Sequence, residues 1–158
     1  MEPQIVDARE SDVERLIEIY SSPHLYHNVE EATWFVKSFF EYHHVKVIKN
    51  EGRAIGVMFW KVVEEKHHAL AEIGEFWIDE NFRRRGLGER LLRTVIDDMK
   101  QFYARYNQKL RKVLVTTGED NVPARNLYEK VGFEKSAALA DLFHEGETEL
   151  VYILTTSP

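Results

Sequence analysis

The 158-residue sequence contains no cysteine. Disulfides, thiolate metal sites and a cysteinyl nucleophile are therefore excluded. No apolar run approaches the roughly 20 residues a membrane helix requires. The N-terminal Met1-Glu2-Pro3-Gln4-Ile5 lacks the layout of a secretory signal, so a cytoplasmic location is the expectation. Positive charge is not in excess either: the net charge of −6 argues against general nucleic-acid binding. No repeat, low-complexity segment or linker interrupts the chain, so residues 1–158 are expected to form a single domain. Histidines are present at 24, 27, 43, 44, 67, 68 and 144, but no His-x-x-x-His or His-Glu-x-x-His occurs. Adjacent pairs such as His43-His44 point to opposite sides of a strand, and no catalytic metal is expected.

What is present is an ordinary globular mixture, 44% hydrophobic and 30% charged. It is organised around the stretch from Ala71 to Met99. Ile73, Phe76, Trp77 and Ile78 have the β-branched and aromatic make-up of a buried strand. Asp79-Glu80-Asn81 ends it, and Arg83-Arg84-Arg85-Gly86-Leu87-Gly88 follows. Leu91, Leu92, Val95, Ile96, Met99, Phe102, Tyr103 and Tyr106 then recur at helical spacing. Two glycines at a helix start let backbone approach a ligand and aim free N–H groups at it. With the helix dipole, that suits a phosphate or pyrophosphate. The dinucleotide fingerprint needs a third glycine where Leu91 stands, and neither glycine begins Gly-Lys-Ser/Thr.

Around this centre, Gln4 to Ala8 reads as a strand. Ser11-Asp12-Val13-Glu14 resembles a capping box for a helix through Val13, Leu16, Ile17 and Tyr20, which Ser21-Ser22-Pro23 breaks. Asn28 caps a second helix, on which Trp34, Phe35, Phe39 and Phe40 are expected to be core. Val45–Ile48 and Ala54–Val63 form a hairpin about Asn50-Glu51-Gly52-Arg53, and a polar turn spans Glu64 to His68. Beyond the long helix come a strand at Lys112–Thr116, a helix opened by Pro123 and closed by Gly132, and two strands, Phe133–Leu139 and Glu149–Thr155. The order β-α-α-β-β-β-α-β-α-β-β predicts an α/β (α+β) mixed sheet of six to seven strands flanked by about four helices.

Arg-x-x-Gly-x-Gly between strand and helix resembles the pyrophosphate loop of the GNAT superfamily of N-acetyltransferases. A second motif, Asn121-x-x-Ala124-x-Asn126-Leu127-Tyr128-x-x-x-Gly132-Phe133, resembles that family's later motif at the matching separation. The resemblance is strong over about residues 70–135. It implies the GNAT fold, acetyl-CoA as cosubstrate and an amine as acceptor. It places the pyrophosphate on Arg84 to Gly88, with Arg83, Arg84 and Arg85 screening phosphates and Glu89 opening the helix. The pantetheine arm would pair with the strand edge at Phe76, Trp77 and Ile78, and Asn121 and Asn126 would hydrogen-bond it. Tyr128 would protonate the leaving thiolate. Members often have Pro where Glu80 stands, so the turn into the loop is expected to be looser here. Members also often dimerise through C-terminal strands, which extends the analogy to a homodimer.

Acetyl transfer requires a base to take a proton from the ammonium, directly or through water. Glu72 and Glu75 are the candidates, on opposite faces of an ideal strand. Glu72 lies eleven residues before Arg83, the spacing of the catalytic glutamate in histone-acetylating members. Glu75 matches the acidic position of many small-molecule and protein-N-terminal acetyltransferases, and is preferred. A bulge at Gly74 would change which one faces the cleft. Without cysteine, direct transfer in a ternary complex is expected. The alternative is a non-catalytic acyl-CoA-binding or sensing module. The acceptor, a small-molecule amine or a protein N-terminus or lysine, is not encoded in any motif, although the segments Ser21–Asn28 and Leu139–Glu147 are placed to choose it.

Overall fold

The computed structural model describes residues 2–22, 25 and 28–156; Pro23, His24 and His27, to which the sequence reading assigned a helix stop and two histidines, lie outside them. Seven strands form one sheet: β1 (Gln4–Asp7), β2 (His44–Asn50), β3 (Arg53–Val62), β4 (Leu70–Ile78), β5 (Lys112–Gly118), β6 (Glu134–Ala140) and β7 (Thr148–Thr155). Four α-helices flank it: α1 (Val13–Tyr20), α2 (Val29–Tyr42), α3 (Leu87–Arg105) and α4 (Val122–Val131). The order in the sheet is β1-β2-β3-β4-β5-β7-β6. Among the described strands only the β4–β5 contact is parallel, as the crossover through α3 requires.

Two cores form because β3, buried from Ala54 to Trp60, is covered on both faces. On one face α3 lays down Leu91, Leu92, Val95, Ile96 and Met99 against Ile73, Val113 and Val115. Its Tyr103 hydroxyl donates to the Leu70 carbonyl at 2.7 Å, tying the helix to β4. On the other face Leu16, Ile19 and Tyr20 of α1 and Ala32, Val36 and Phe39 of α2 cover Val47, Val57 and Phe59.

Three local expectations change. The N-terminal cap before α1 is not built by Ser11 and Glu14. Asp12 instead accepts the Arg9 N–H at 2.8 Å, because a short 3-10 turn over Glu10–Asp12 precedes the helix. Trp34 is not core but 74% exposed. The buried stripe of α2 is Ala32, Val36 and Phe39, and Trp34 lies about halfway round the helix from it. The turn after β4 is held without proline, since the Asp79 carboxylate accepts the Asn81 N–H at 3.0 Å. By contrast, Asn28 caps α2 as expected, accepting the Glu31 N–H at 2.8 Å.

Candidate functional site

The sheet splits at its centre. β4 and β5 pair from Leu70/Lys112 to Ile73/Val115 and no further. Beyond Ile73, β4 pairs with β3 again from Phe76 to Ile78 and has no paired strand on its other side among the described residues. An unpaired edge in the middle of a sheet leaves main-chain donors and acceptors open to an extended ligand.

A bulge begins at the same place. Trp60 pairs with Ile73 and Met58 with Phe76, so β4 advances three residues while β3 advances two. Ile73 and Phe76 both pack on the α3 core, which regular alternation forbids for residues three apart. Gly74 is the residue that permits it, since a Cβ there would lie 2.7 Å from the Phe39 ring.

The bulge separates the two candidate bases. Glu72 stays in the paired part of β4 and meets the Lys61 ammonium at 3.3 Å. Glu75, half-buried beyond the bulge, has no such partner among the described residues. Burial, reinforced by the nearby Glu149 carboxylate, raises its pKa from 4.5 to about 7. Tyr128 of α4 is 4% exposed. Its phenol is pushed well above the ordinary tyrosine range, first by burial and then by the Glu75 charge. No hydrogen bond occupies its hydroxyl among the described residues. Glu75, Tyr128 and Glu149 thus share one electrostatic environment in the gap, and Glu72 is outside it.

Glu149 was not anticipated from sequence. It stands opposite Gly118 in the β5–β7 ladder, just past the point where β5 leaves β4. Burial and then Glu147 raise its carboxyl, Asp120 adds to this, and the Thr116 hydroxyl and His144 oppose it. The strand alternation around Leu150 and Tyr152 signalled which face Glu149 occupies. Its proximity to Glu75 depends on sheet order, which no local pattern carries.

At the mouth of the gap lies the glycine loop. Gly86 has φ 75, and Arg84, a non-glycine residue, also has a left-handed φ of 60. The first helical bond of α3 runs from Arg90 N–H to the Gly86 carbonyl at 3.1 Å. Leu87, Gly88 and Glu89 N–H groups are left without intrahelical acceptors. No atom lies within 4 Å of a Cβ built at Gly86, so this position opens outward. Gly88 differs: a Cβ there would lie 3.0 Å from Phe76 Cζ. Its missing side chain serves the packing of α3 on β4 as well as any close approach by ligand.

The remaining predicted residues divide. Arg83 folds back, its Nε donating to the Ile78 carbonyl at 2.9 Å, while Arg84 and Arg85 remain exposed beside the loop. Glu89 is held by Lys130 and Arg93, which lower its pKa. Asn121 caps α4 by accepting the Ala124 N–H at 3.3 Å. Asn126 is exposed on that helix, and Phe76, Trp77 and Ile78 form the unpaired edge. Among the described residues no group of histidines or carboxylates converges to hold a metal ion.

A split sheet with an open strand edge thus leads from a helix N-terminus to a half-buried acid and a buried phenol. The chain belongs to the acetyltransferase (GNAT) family, whose sequence model matches residues 10–133. It is similar to the spermine/spermidine N(1)-acetyltransferase of Bacillus subtilis (strain 168), 26% identical over 88 residues, 56% of this chain and 55% of that protein. The chain thus spans about half the length of the curated relatives it matches first. Among solved structures, YncA of Salmonella typhimurium with its cofactor acetyl-CoA superimposes with a TM-score of 0.77 at 14% identity, over 100% of this chain and 96% of that one. The ribosomal-protein-alanine N-acetyltransferase of Brucella melitensis gives 0.75 at 19% identity, over 96% and 99%. At these identities the structures establish the fold.

Proposed function

We propose that this protein transfers the acetyl group of acetyl-CoA to a cationic primary amine, directly, within a ternary complex in the β4/β5 gap. The observation that carries the reading is Glu75. It is a carboxylate freed from its ladder by a bulge, poised at a pKa of about 7 and electrostatically coupled to Tyr128. The residues present suit the cosubstrate. The α3 N-terminus and the left-handed turn at Arg84 and Gly86 offer N–H groups to a pyrophosphate. The open β4 edge offers main-chain partners to the pantetheine amides. Acetyl-CoA supplies the thioester carbonyl that an amine attacks.

The protein's own groups supply the proton handling. Glu75 accepts a proton from the acceptor ammonium, a task suited to a base titrating near working pH. Backbone N–H at the β4 edge stabilises the developing oxyanion. Tyr128 donates to the departing sulfur. Its phenol is a weak donor while Glu75 is charged. Once Glu75 has taken the amine proton, that part of the elevation disappears, so the donor improves when the thiolate forms.

The preference for a cation rests on Glu75 and Glu149, with Glu147 and Asp120 behind them. The polyamine activity in the name of the Bacillus relative agrees with this. The absence of cysteine makes the test clean. Release of free CoA thiol can be followed with a thiol reagent against zero protein background. Polyamines and alkyl diamines are expected to accelerate release, and an aliphatic diol is not. No release with any amine in a broad panel, despite acetyl-CoA binding, would favour the sensing module.

A further inference from the structure

At the opposite end of α3 from the glycine loop is a cavity of about 740 Å³ that the acetyl-transfer reading does not use. Phe102 and Tyr106 on its wall lie some 14 to 20 residues beyond the loop, on the order of 20–30 Å along a helix. The C-terminal turn of α2, the start of β2 and the β3–β4 connection supply the other walls. Its volume falls within the usual range for small-molecule sites.

Three features define what it would take. The wall is aromatic: His44 stacks on Trp60 with centroids 3.9 Å apart, Phe102 meets His44 edge-on at 4.9 Å, and Tyr106 continues from Phe102 at 5.1 Å. The chain's own alkylammonium tests this wall, since Lys66 Nζ sits 3.9 Å from the centre of the Tyr106 ring. Acceptors also line the cavity. Glu64 is one; it adopts a left-handed φ of 57, a strain that concentrates at functional segments. Gln108 Oε1 is the second, buried and accepting no hydrogen bond among the described residues. A buried carbonyl left in this way calls for an N–H donor.

We propose that this cavity is a second binding site, for a primary alkylammonium with an apolar or aryl tail. The ammonium lies on Tyr106 in place of Lys66, donating to Gln108 and Glu64, and the tail lies along Phe102 and His44. The histidines fit this role. Burial lowers the pKa of both His43 and His44, so they present neutral rings at pH 7. His67 is engaged by Glu65 at 3.0 Å. The inference is independent of the acetyl-transfer reading, because none of these residues belongs to the gap.

The test uses phenethylammonium and its neutral counterpart 2-phenylethanol, followed through the imidazole NMR signals of His43 and His44. The ammonium is expected to shift those signals saturably and to bind at least tenfold more tightly than the alcohol. Tyr106→Leu, at an exposed ring, is expected to weaken binding about tenfold. Lys66→Ala is expected to tighten it severalfold by removing the internal competitor, and Glu75→Gln to leave it unchanged. Equal binding of the alcohol, unmoved histidine signals, or weaker binding in Lys66→Ala would each overturn the proposal.

Discussion

The raised pKa of Glu75 makes a prediction about stability as well as catalysis. Between its unfolded value of 4.5 and its folded value of about 7, the native state holds a proton that the unfolded state has lost. Stability then falls as pH rises through this window, because the unfolded chain binds fewer protons than the folded one. At about 1.4 kcal/mol per pKa unit, the full cost of ionising Glu75 in place is about 3 kcal/mol above pH 7. Glu75→Gln removes that cost while keeping the shape of the side chain. Urea unfolding of wild type and variant at pH 5 and pH 8 isolates the effect, since packing changes cancel between the two pH values. The variant is expected to gain about 2–3 kcal/mol on wild type between pH 5 and pH 8, several degrees in Tm for a chain of this size. A stability difference that does not change with pH, or that falls, would refute the buried-carboxylate account. The same change should impair turnover, so the site is more stable without its base.

Glu149→Gln removes the charge that helps raise Glu75, so the acid limb of the rate profile should move to lower pH and the KM for a diamine should rise; unchanged profiles would leave Glu149 without this role. Tyr128→Phe keeps the ring and deletes the proton. The expected result is a folded protein with unaltered acetyl-CoA affinity by calorimetry and a kcat reduced ~10- to 1,000-fold. A kcat within about twofold of wild type would make Tyr128 a packing residue. Gly88→Ala should lower Tm through its 3.0 Å approach to Phe76, and Phe76→Leu should restore part of the loss. Gly86→Ala, with open space around it, should weaken acetyl-CoA binding through the left-handed φ alone.

Much of this arrangement was readable from local pattern. The strand, glycine loop and amphipathic helix from Ala71 onward, the Asn28 cap, the Gly52 hairpin and the Pro123-to-Gly132 helix all depend on short-range chemistry. Gly74 marked a place for a bulge, but its partner across the layer, Phe39, comes from a helix far away in sequence. The choice between Glu72 and Glu75 needed the Lys61 partner on β3 and the end of β4–β5 pairing, which are properties of the sheet. Glu149 was invisible for the same reason. Trp34 misled because an aromatic run reads as core until helical phase is fixed by neighbours such as Ala32 and Val36.

The central claim is that Glu75, released at the bulge, accepts the proton of the acceptor ammonium. It is tested most directly by kcat/KM for a polyamine across pH in wild type, Glu75→Gln and Glu72→Gln. The account predicts activity rising through a pKa near 7 in wild type and in Glu72→Gln. In Glu75→Gln it predicts a loss of ~10²–10⁴-fold together with the disappearance of that limb. Near-wild-type activity in Glu75→Gln with collapse in Glu72→Gln would contradict it.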